Sequence, residues 1–359
     1  MEWLRGDFHA HSNLSDGLLT PDRLIEEAER EALDFFAITD HNTWAYPHFA
    51  HSEHVLVLAG VEVTLPYGHF NVFGVDPSEP EWMTGLGPPS PVDRDPSQQQ
   101  GLSRPLIEGI GASDLRASIN HPLLFPWEWV DSDTPLELLD YLEVWNDPTW
   151  PENRLANPAA LDMWTRWLQA GHRVTAVGGS DFHDPDKTTR YDGLTVDGHR
   201  VGFPRTYVLA EACTAEAILD AVDRRRAYVT MGPVVELVVL GPDGEAGIGD
   251  DLGSSAEQVD VEAIARGPER LGVELVLDGV VVARSSGSGP GLSHRIALED
   301  KPTGWLRIDV RDQTGDVIAF TNPVYFGPEP DTPPSTYGVF TDVSEALSLQ
   351  GHNDKADND

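Results

Sequence analysis

Residues 1–41, MEWLRGDFHAHSNLSDGLLTPDRLIEEAEREALDFFAITDH, decide the fold class. A short apolar opening runs into Asp7-Phe8-His9-Ala10-His11, and Thr20-Pro21 then supplies an N-cap and a first helical residue whose fixed φ suits that position. Leu24, Ile25, Ala28 and Ala32 recur at helical spacing, with Glu26, Glu27, Glu29 and Glu31 on the opposite face, so a helix follows. Phe35-Phe36-Ala37-Ile38-Thr39 reads as a buried strand. Strand, helix, strand is the unit from which parallel sheets are built.

Working outward, similar buried runs recur at 55–58, 117–119, 141–144 and 174–177, interleaved with helical stretches such as 161–168, and a parallel α/β barrel is the predicted class. Residues 76–105 interrupt the alternation with Pro77, Pro80, Pro88, Pro89, Pro91, Pro96 and the Gln98-Gln99-Gln100 run. Such a stretch suits neither a helix nor a central strand and is expected as an inserted loop, either a lid beside the site or a surface excursion. A helix is predicted over 214–226, and the character changes near Gly232-Pro233. Runs at 234–240, 259–265, 273–282 and 306–310 are β-rich, and Leu306, Ile308 and Val310 alternate with Arg307, Asp309 and Arg311 as a strand with one buried face would. The expected division is a barrel over residues 1–232, a small all-β, sandwich-like domain over 233–327, and an acidic, disordered tail over 328–359 with at most one short helix around 343–349.

With 359 residues, 40% of them hydrophobic, the chain can bury a sizeable core. Sixty Asp and Glu against 24 Lys and Arg leave a formal charge of -36, whose field repels phosphates and disfavours nucleic acid as a partner. The opening MEWLRGDFHA lacks a basic region followed by an apolar stretch, and no later segment approaches a membrane-spanning length, so a cytoplasmic chain without membrane contact is expected. Cys213 is the only cysteine, which removes intramolecular disulfides and thiolate metal sites and leaves imidazole and carboxylate as ligands.

His9 and His11 lie two apart at a strand end, where extended geometry points both at one face and lets them grip one ion. One such pair is weak evidence. Asp16, Asp40-His41, Glu62, Asn120-His121 and Ser180-Asp181-Phe182-His183 all follow buried strands as well, and in a parallel barrel those ends converge on one rim. Imidazole and carboxylate without thiolate favour zinc, manganese or iron over a purely oxygen-seeking ion. Arg190 and Arg205, after the last of these motifs, are candidates for clamping a substrate anion, the alternative being surface charges that balance an acidic chain. Asn146 is a further candidate to line the site. Trp127, Trp129, Trp145 and Trp150 belong near the rim, as pocket wall or as core.

In order and spacing, His9-Ala10-His11-Ser12 with Ser15-Asp16-Gly17, Thr39-Asp40-His41-Asn42, Asn120-His121-Pro122 and Gly179-Ser180-Asp181-Phe182-His183 resemble the PHP family, named for polymerase and histidinol phosphatase. The likeness covers roughly residues 7–230. Gly60-Val61-Glu62-Val63, Gly68-His69-Phe70-Asn71-Val72, Glu143-Val144-Trp145-Asn146 and Thr321-Asn322-Pro323 are similar, more narrowly, to the CehA/McbA-type metallohydrolases. The resemblance implies a distorted, TIM-like (β/α)7 barrel in which His9, His11, Glu62 and Asp181 hold a first ion. Glu62 would bridge to a second ion held by His121 and His69, and Asp16, His41 and His183 would hold a third where one is present. The cofactor expected is therefore two or three divalent ions of zinc, manganese or iron, with Asp181, His183 and His41 as catalytic residues.

Cations sharing a water make hydrolysis the natural reaction. The function expected first is a phosphoesterase acting on small phosphate esters. Its rivals are a carbamate or amide ester hydrolase, a non-catalytic metal-binding or regulatory module, and an exonuclease, which the charge opposes. The expected partner is a small anionic or ester substrate, and oligomerisation through the β-domain is left open.

Overall fold

The computed structural model describes residues 1–46, 52–76, 78–87, 89, 100–185, 189–191, 194–196, 199–242, 244–253, 258–267, 270–285, 291–298 and 303–341, with backbone alone for 189–191 and 194–196. Strand β1 (Glu2–Asp7) leads to helix α1 (Pro21–Arg30) and strand β2 (Phe35–Ile38), as the opening sequence predicts. The Thr20 hydroxyl accepts from Arg23 N–H at the helix start, and Leu24, Ile25 and Ala28 bury against Phe36 and Ile38. β3 (Leu56–Leu65) lies parallel to β2 and turns back into β4 (Gly68–Gly74) as a hairpin. Gly68 is required there: its φ is +125°, and a Cβ would stand 2.8 Å from the Trp129 ring.

Helix α2 (Arg104–Gly111) precedes β5 (Arg116–Ile119), which is followed by β6 (Tyr141–Asn146), helix α3 (Asn153–Gln169) and β7 (Thr175–Gly179). A short hairpin, β8 (Thr189–Tyr191) and β9 (Leu194–Val196), leads to β10 (Arg205–Ala210), helix α4 (Ala215–Asp223) and β11 (Ala227–Thr230). The remaining strands are β12 (Val234–Gly241), β13 (Gly244–Ala246), β14 (Gln258–Arg266), β15 (Gly272–Leu277), β16 (Val280–Arg284), β17 (Gly291–Ala297), β18 (Gly304–Arg311), β19 (Val317–Thr321) and β20 (Val324–Phe326). Among the described residues no helix is long and apolar enough to cross a membrane.

The sheet does not show the expected distorted, TIM-like (β/α)7 barrel. The long sheet runs β16-β15-β18-β19-β11-β10-β1-β2-β3-β4-β5-β6-β7, with β20 on β18, and is not closed. β1, β2 and β3 are mutually parallel, as are β5, β6 and β7, but β4 is antiparallel to both its neighbours, and β10, β11 and β19 are antiparallel too. Nor does a helix follow every strand, since a 3-10 turn at Leu136–Leu138 is the only helical element between β5 and β6.

The sheet curls so that β7 meets β10 and β11 through side chains instead of a ladder. The Thr206 hydroxyl accepts from Gly178 N–H and donates to Gly178 C=O, both at 2.8 Å. Asn322 acts as a peptide stand-in: its Oδ1 accepts from Ala176 N–H and its Nδ2 donates to the carbonyls of Ala176 and Ala227, each at 2.9 Å. These bonds satisfy backbone groups that an open edge would leave buried and unpaired.

The strands of the expected β-domain form two layers, one of which continues the long sheet of the N-terminal part. β13-β12-β14-β17 forms one layer, and the extension of the long sheet through β11–β19 pairing forms the other. Val235, Leu237, Val261, Ala263, Leu275 and Ile308 meet between the layers. β18 departs from the one-faced reading: Arg307 and Asp309 are buried as an ion pair at 2.8 Å because α3 covers them, with Thr165 accepting from Arg307 at 2.8 Å. Part of the expected tail is also packed. Ser335 C=O accepts from Leu136 N–H, and fully buried Tyr337, opening the short helix α5 (Tyr337–Phe340), donates its hydroxyl to Pro122 C=O at 3.1 Å. The rest of that tail, with the expected helix at 343–349, lies outside the described residues, as do Pro77, Pro88, Pro91, Pro96, Gln98 and Gln99 of the inserted loop.

Candidate metal centre

β1, β2, β5 and β7 each run directly into a segment that carries ligand-type side chains, His9, His41, His121 and Asp181 among them, whereas Glu62 stands within β3 and His69 within β4. The segment after β1 runs between the ends of β2 and β7: His11 N–H donates to Phe182 C=O at 2.8 Å, Asp181 N–H to His9 C=O at 2.9 Å and Thr39 N–H to Ala10 C=O at 2.8 Å. His41 bridges to Glu62 on β3, and His69 enters from the start of β4 opposite Thr64. All nine expected ligands, His9, His11, Asp16, His41, Glu62, His69, His121, Asp181 and His183, are thereby brought together. His121 and Asp181 hold φ of 28° and 50°, a left-handed backbone that non-glycine residues adopt at some cost and that recurs at functional sites.

In the innermost group His9, His11 and Glu62 are fully buried and Asp181 is partly exposed. His9 Nε2 lies 3.0 Å from His11 Nε2 and 3.3 Å from both Asp181 Oδ1 and Glu62 Oε1. His11 Nε2 lies 3.1 Å from Asp181 Oδ1 and 3.4 Å from Glu62 Oε2. His9, His11 and Glu62 offer ligand atoms close enough to share one ion, and Asp181 Oδ1 stands beside both histidines, at separations that suit nitrogen and oxygen ligands on a zinc-like ion. The proton on His9 strengthens the fit. Its Nδ1 lies 2.9 Å from Glu143 Oε1, a pure acceptor, so Nδ1 carries a hydrogen and Nε2 faces the carboxylate oxygens, as an N–H donor while the ring is charged and as a lone pair for a cation once that proton is expelled.

Two further groups adjoin it. Glu62 Oε1 faces His69 Nδ1 at 3.3 Å and His121 Nε2 at 3.4 Å, while Glu62 Oε2 faces His41 Nδ1 at 2.8 Å. Asp16 faces His183 Nε2 at 3.2 Å, His41 Nε2 at 3.6 Å and His11 Nδ1 at 3.9 Å. Exposure grades outward, from 1% for the Glu62 side chain through 14% for His41 and 29% for His183 to 59% for Asp16. Burial opposes charge on His9, but Asp181, Glu143 and Glu62 outweigh it and raise the ring well above the usual histidine range. Against the same burial, Asp16 and Asp181 raise His183 to about 9. Burial and the charges of His183 and His41 instead lower His11 to about 3. Glu62 and Asp181 are held well below the carboxylate range against their burial, by His9, His41 and His69 in the one case and by His9, His11 and His183 in the other.

Beneath the ligands lies a layer of buried carboxylates that sequence reading did not assign to the site. Asp7 accepts from Ser180 N–H and hydroxyl at 2.9 and 2.6 Å, Gly202 N–H at 2.7 Å and His9 N–H at 3.1 Å, although its burial still lifts it to about 6. Asp40 ties the first loop down through Ser12 and Ser15, whose hydroxyls both donate at 2.6 Å. Glu143 also accepts from His121 N–H at 2.8 Å and Asn146 Nδ2 at 3.0 Å. His199 reaches Ser180 C=O with Nε2 at 2.5 Å, beside Asp147. The sequence signal was local for Asp7 and Asp40, each within two residues of a ligand, and absent for His199.

The ligands open onto a cavity of about 350 Å³ whose wall includes Leu124, Trp127, Asn146, Asp147 and Trp150. Trp127 and Trp150 meet edge to face there, whereas Trp129 and Trp145 belong to the core. Asn146 is placed as expected, its Nδ2 3.4 Å from Asp181 Oδ2. Arg205 corrects the expectation for it: it does not line the cavity, because its guanidinium is committed to Glu31 at 3.1 Å and to the Gly202 and Glu31 carbonyls. Arg190 sits on β8, whose side chains lie outside the described residues.

Among known proteins, the chain is 38% identical over 88 residues to a 3',5'-nucleoside bisphosphate phosphatase of Chromobacterium violaceum, a match covering 22% of this chain. It spans 31% of that relative's length. Similar solved structures include a two-domain protein of Bacteroides vulgatus containing a predicted PHP-like metal-dependent phosphoesterase, at 17% identity and a TM-score of 0.47, covering 90% of this chain and 95% of that one. Another is an amidohydrolase of Chromobacterium violaceum with bound sulfate and no metal, at 19% identity and a TM-score of 0.33, covering 54% and 91%. Residues 7–95, the stretch that supplies His9, His11, Asp16, His41, Glu62 and His69, match the PHP domain family.

Proposed function

We propose that the chain is a metal-dependent hydrolase that cleaves small phosphate esters at a centre of two or three divalent ions. The observation that carries this reading is the His9 ring, whose Nδ1 hydrogen is held by Glu143 and whose Nε2, beside that of His11, faces Glu62 and Asp181. His9, His11, Glu62 and Asp181 would hold the inner ion, Glu62, His69 and His121 a second, and Asp16, His41 and His183 a third. The match to a phosphatase supports phosphorus over carbon as the centre attacked.

Divalent cations held here supply Lewis acidity toward the scissile group and bring the ionisation of water near neutral pH. Asp181 turns Oδ1 to the histidines and keeps Oδ2 beside Asn146, where it takes the proton of the attacking water. His183 and His41, nearer the mouth, deliver a proton to the leaving oxygen in the two-ion form and serve as ligands in the three-ion form. Leu124, Trp127 and Trp150 exclude water from one side of the ester.

The test is elemental analysis of freshly purified protein, followed by assays of the zinc- and manganese-loaded chain on a phosphomonoester, a phosphodiester and an aryl carbamate. Hydrolysis of a phosphate ester, lost together with metal in a His9→Ala, His11→Ala double variant, is expected. Activity on the carbamate alone would move the reaction to carbon, and a double variant that kept both metal and turnover would place the centre elsewhere.

A further inference from the structure

The geometry points to Asn120 as a positioning residue that keeps Glu62 a two-ended ligand and so sets how many ions the centre holds; this rests on the functional reading above. Asn120 directly follows β5, is fully buried, and has no place in the ligand set. Its amide has one orientation. Oδ1 accepts from Asn71 N–H at 3.2 Å, which leaves Nδ2 to face Glu62 Oε1 at 2.8 Å. Both partners are anchored: Asn71 donates its side chain to Phe8 C=O at 3.1 Å, and Asn120 N–H donates to His69 C=O at 3.1 Å. The amide therefore sits on the β4–β5 pair as a fixed donor aimed at one carboxylate oxygen.

Lone-pair counting turns that contact into a constraint. A carboxylate oxygen offers two in-plane sites, and Asn120 takes one on Oε1, leaving one for a single ion. Oε1 faces His69, His121 and, at 3.3 Å, His9, whereas Oε2 faces His11 and His41. While Nδ2 grips Oε1, the carboxylate is held in the one orientation that presents it to both ligand groups, so its charge stays shared between them. Without the grip Glu62 is free to chelate the inner ion with both oxygens, and the second ion loses its only carboxylate.

The experiment compares full-length wild type, Asn120→Ala and the isosteric Asn120→Asp, each loaded with Mn²⁺, desalted, and measured for bound manganese, for spin coupling by electron paramagnetic resonance, and for melting of the metal-free chain by circular dichroism. The expected result is one ion fewer per chain in both variants, loss of the coupled signal, and affinity of the remaining inner ion within about threefold of wild type. A role confined to fold stability would instead lower melting and weaken every ion together, and that pattern overturns the inference. So does full stoichiometry with intact coupling in either folded variant. If Asn120→Ala does not fold, Asn120→Asp decides, because it preserves volume and puts a carboxylate that repels Glu62 where the donor stood. A wild-type chain that holds no manganese sinks the functional reading and this inference together, whereas unchanged variants sink the inference alone.

Discussion

Replacing Glu143 by Gln removes one negative charge and half of an acceptor pair while keeping the volume. Glu143 accepts three hydrogen bonds, from His9 Nδ1 at 2.9 Å, His121 N–H at 2.8 Å and Asn146 Nδ2 at 3.0 Å. Glutamine has one oxygen. If it serves His121 and Asn146, the amide NH₂ meets the His9 Nδ1–H donor to donor. The ring must then carry its proton on Nε2, the atom that faces Glu62 and Asp181. If the amide flips, His121 and Asn146 lose their acceptor instead. With an ion on Nε2 the ring cannot move its proton there, so in the ion-bound protein either arrangement leaves at least one buried donor unsatisfied, at about 1–3 kcal/mol. The part that separates ion-bound from ion-free protein corresponds to a loss of roughly 10–100-fold in metal affinity, or about 1.4–2.7 kcal/mol. Competition for Zn²⁺ with a chromophoric chelator, alongside melts of the metal-free chain, reads it directly. Affinity within threefold of wild type in a folded Glu143→Gln protein would refute the reasoning, because the His9 tautomer would then not depend on Glu143.

In the metal-free chain Asp181, Glu62 and Asp16 raise the His9, His41 and His183 rings against their burial, His183 to about 9, so these rings hold protons to higher pH than a free histidine does. Ions must expel those protons, so affinity should climb as pH rises from 6 toward 9, with calorimetry in buffers of different ionisation heat reporting proton release; equal affinity across that range contradicts the assignment. Arg205→Ala should leave KM for a phosphate ester within about twofold and cost at most about 1 kcal/mol, because a partly exposed guanidinium is lost from Glu31. A tenfold rise in KM would return Arg205 to the substrate. Asn322→Ala should cost about 2–4 kcal/mol in urea unfolding, since the Ala176 N–H and the carbonyls of Ala176 and Ala227 lose a buried partner together. An unchanged midpoint would mean that water replaces the amide freely.

The parts of this protein that were legible in sequence are those whose causes are local. Thr20 and Pro21 start α1 because a cap and a fixed φ act within one turn, and His9 with His11 share a face because strand geometry repeats every second residue. Strand direction is a different matter. A buried apolar run such as Val61 to Phe73 has the same pattern whichever way its partner points, so the β3–β4 hairpin at Pro66 and Tyr67, and with it the departure from a closed barrel, left no trace beyond a proline and Gly68. Arg205 and Arg307 show the same limit for charge. Each was read as facing solvent or substrate, and each is claimed by a partner far along the chain, Glu31 in one case and the cover of α3 over Asp309 in the other. Asp7 and Asp40 have the chemistry of ligands and the positions of ligands. Only the donors that surround them reveal that they hold the ligand-bearing loops.

The seam between β7 and its neighbours has a consequence for the order in which the protein is made. Every proposed metal ligand has been synthesised once residue 183 is added, yet β7, the strand that ends just before Asp181, is pinned at Ala176 by Asn322. A nascent chain therefore carries the full complement of histidines and carboxylates well before it owns the amide that locks their strand in place. The C-terminal sandwich is a late-arriving clasp: maturation of the centre waits for it, and a chain interrupted before residue 322 would offer ions a loose set of ligands in place of a rigid one.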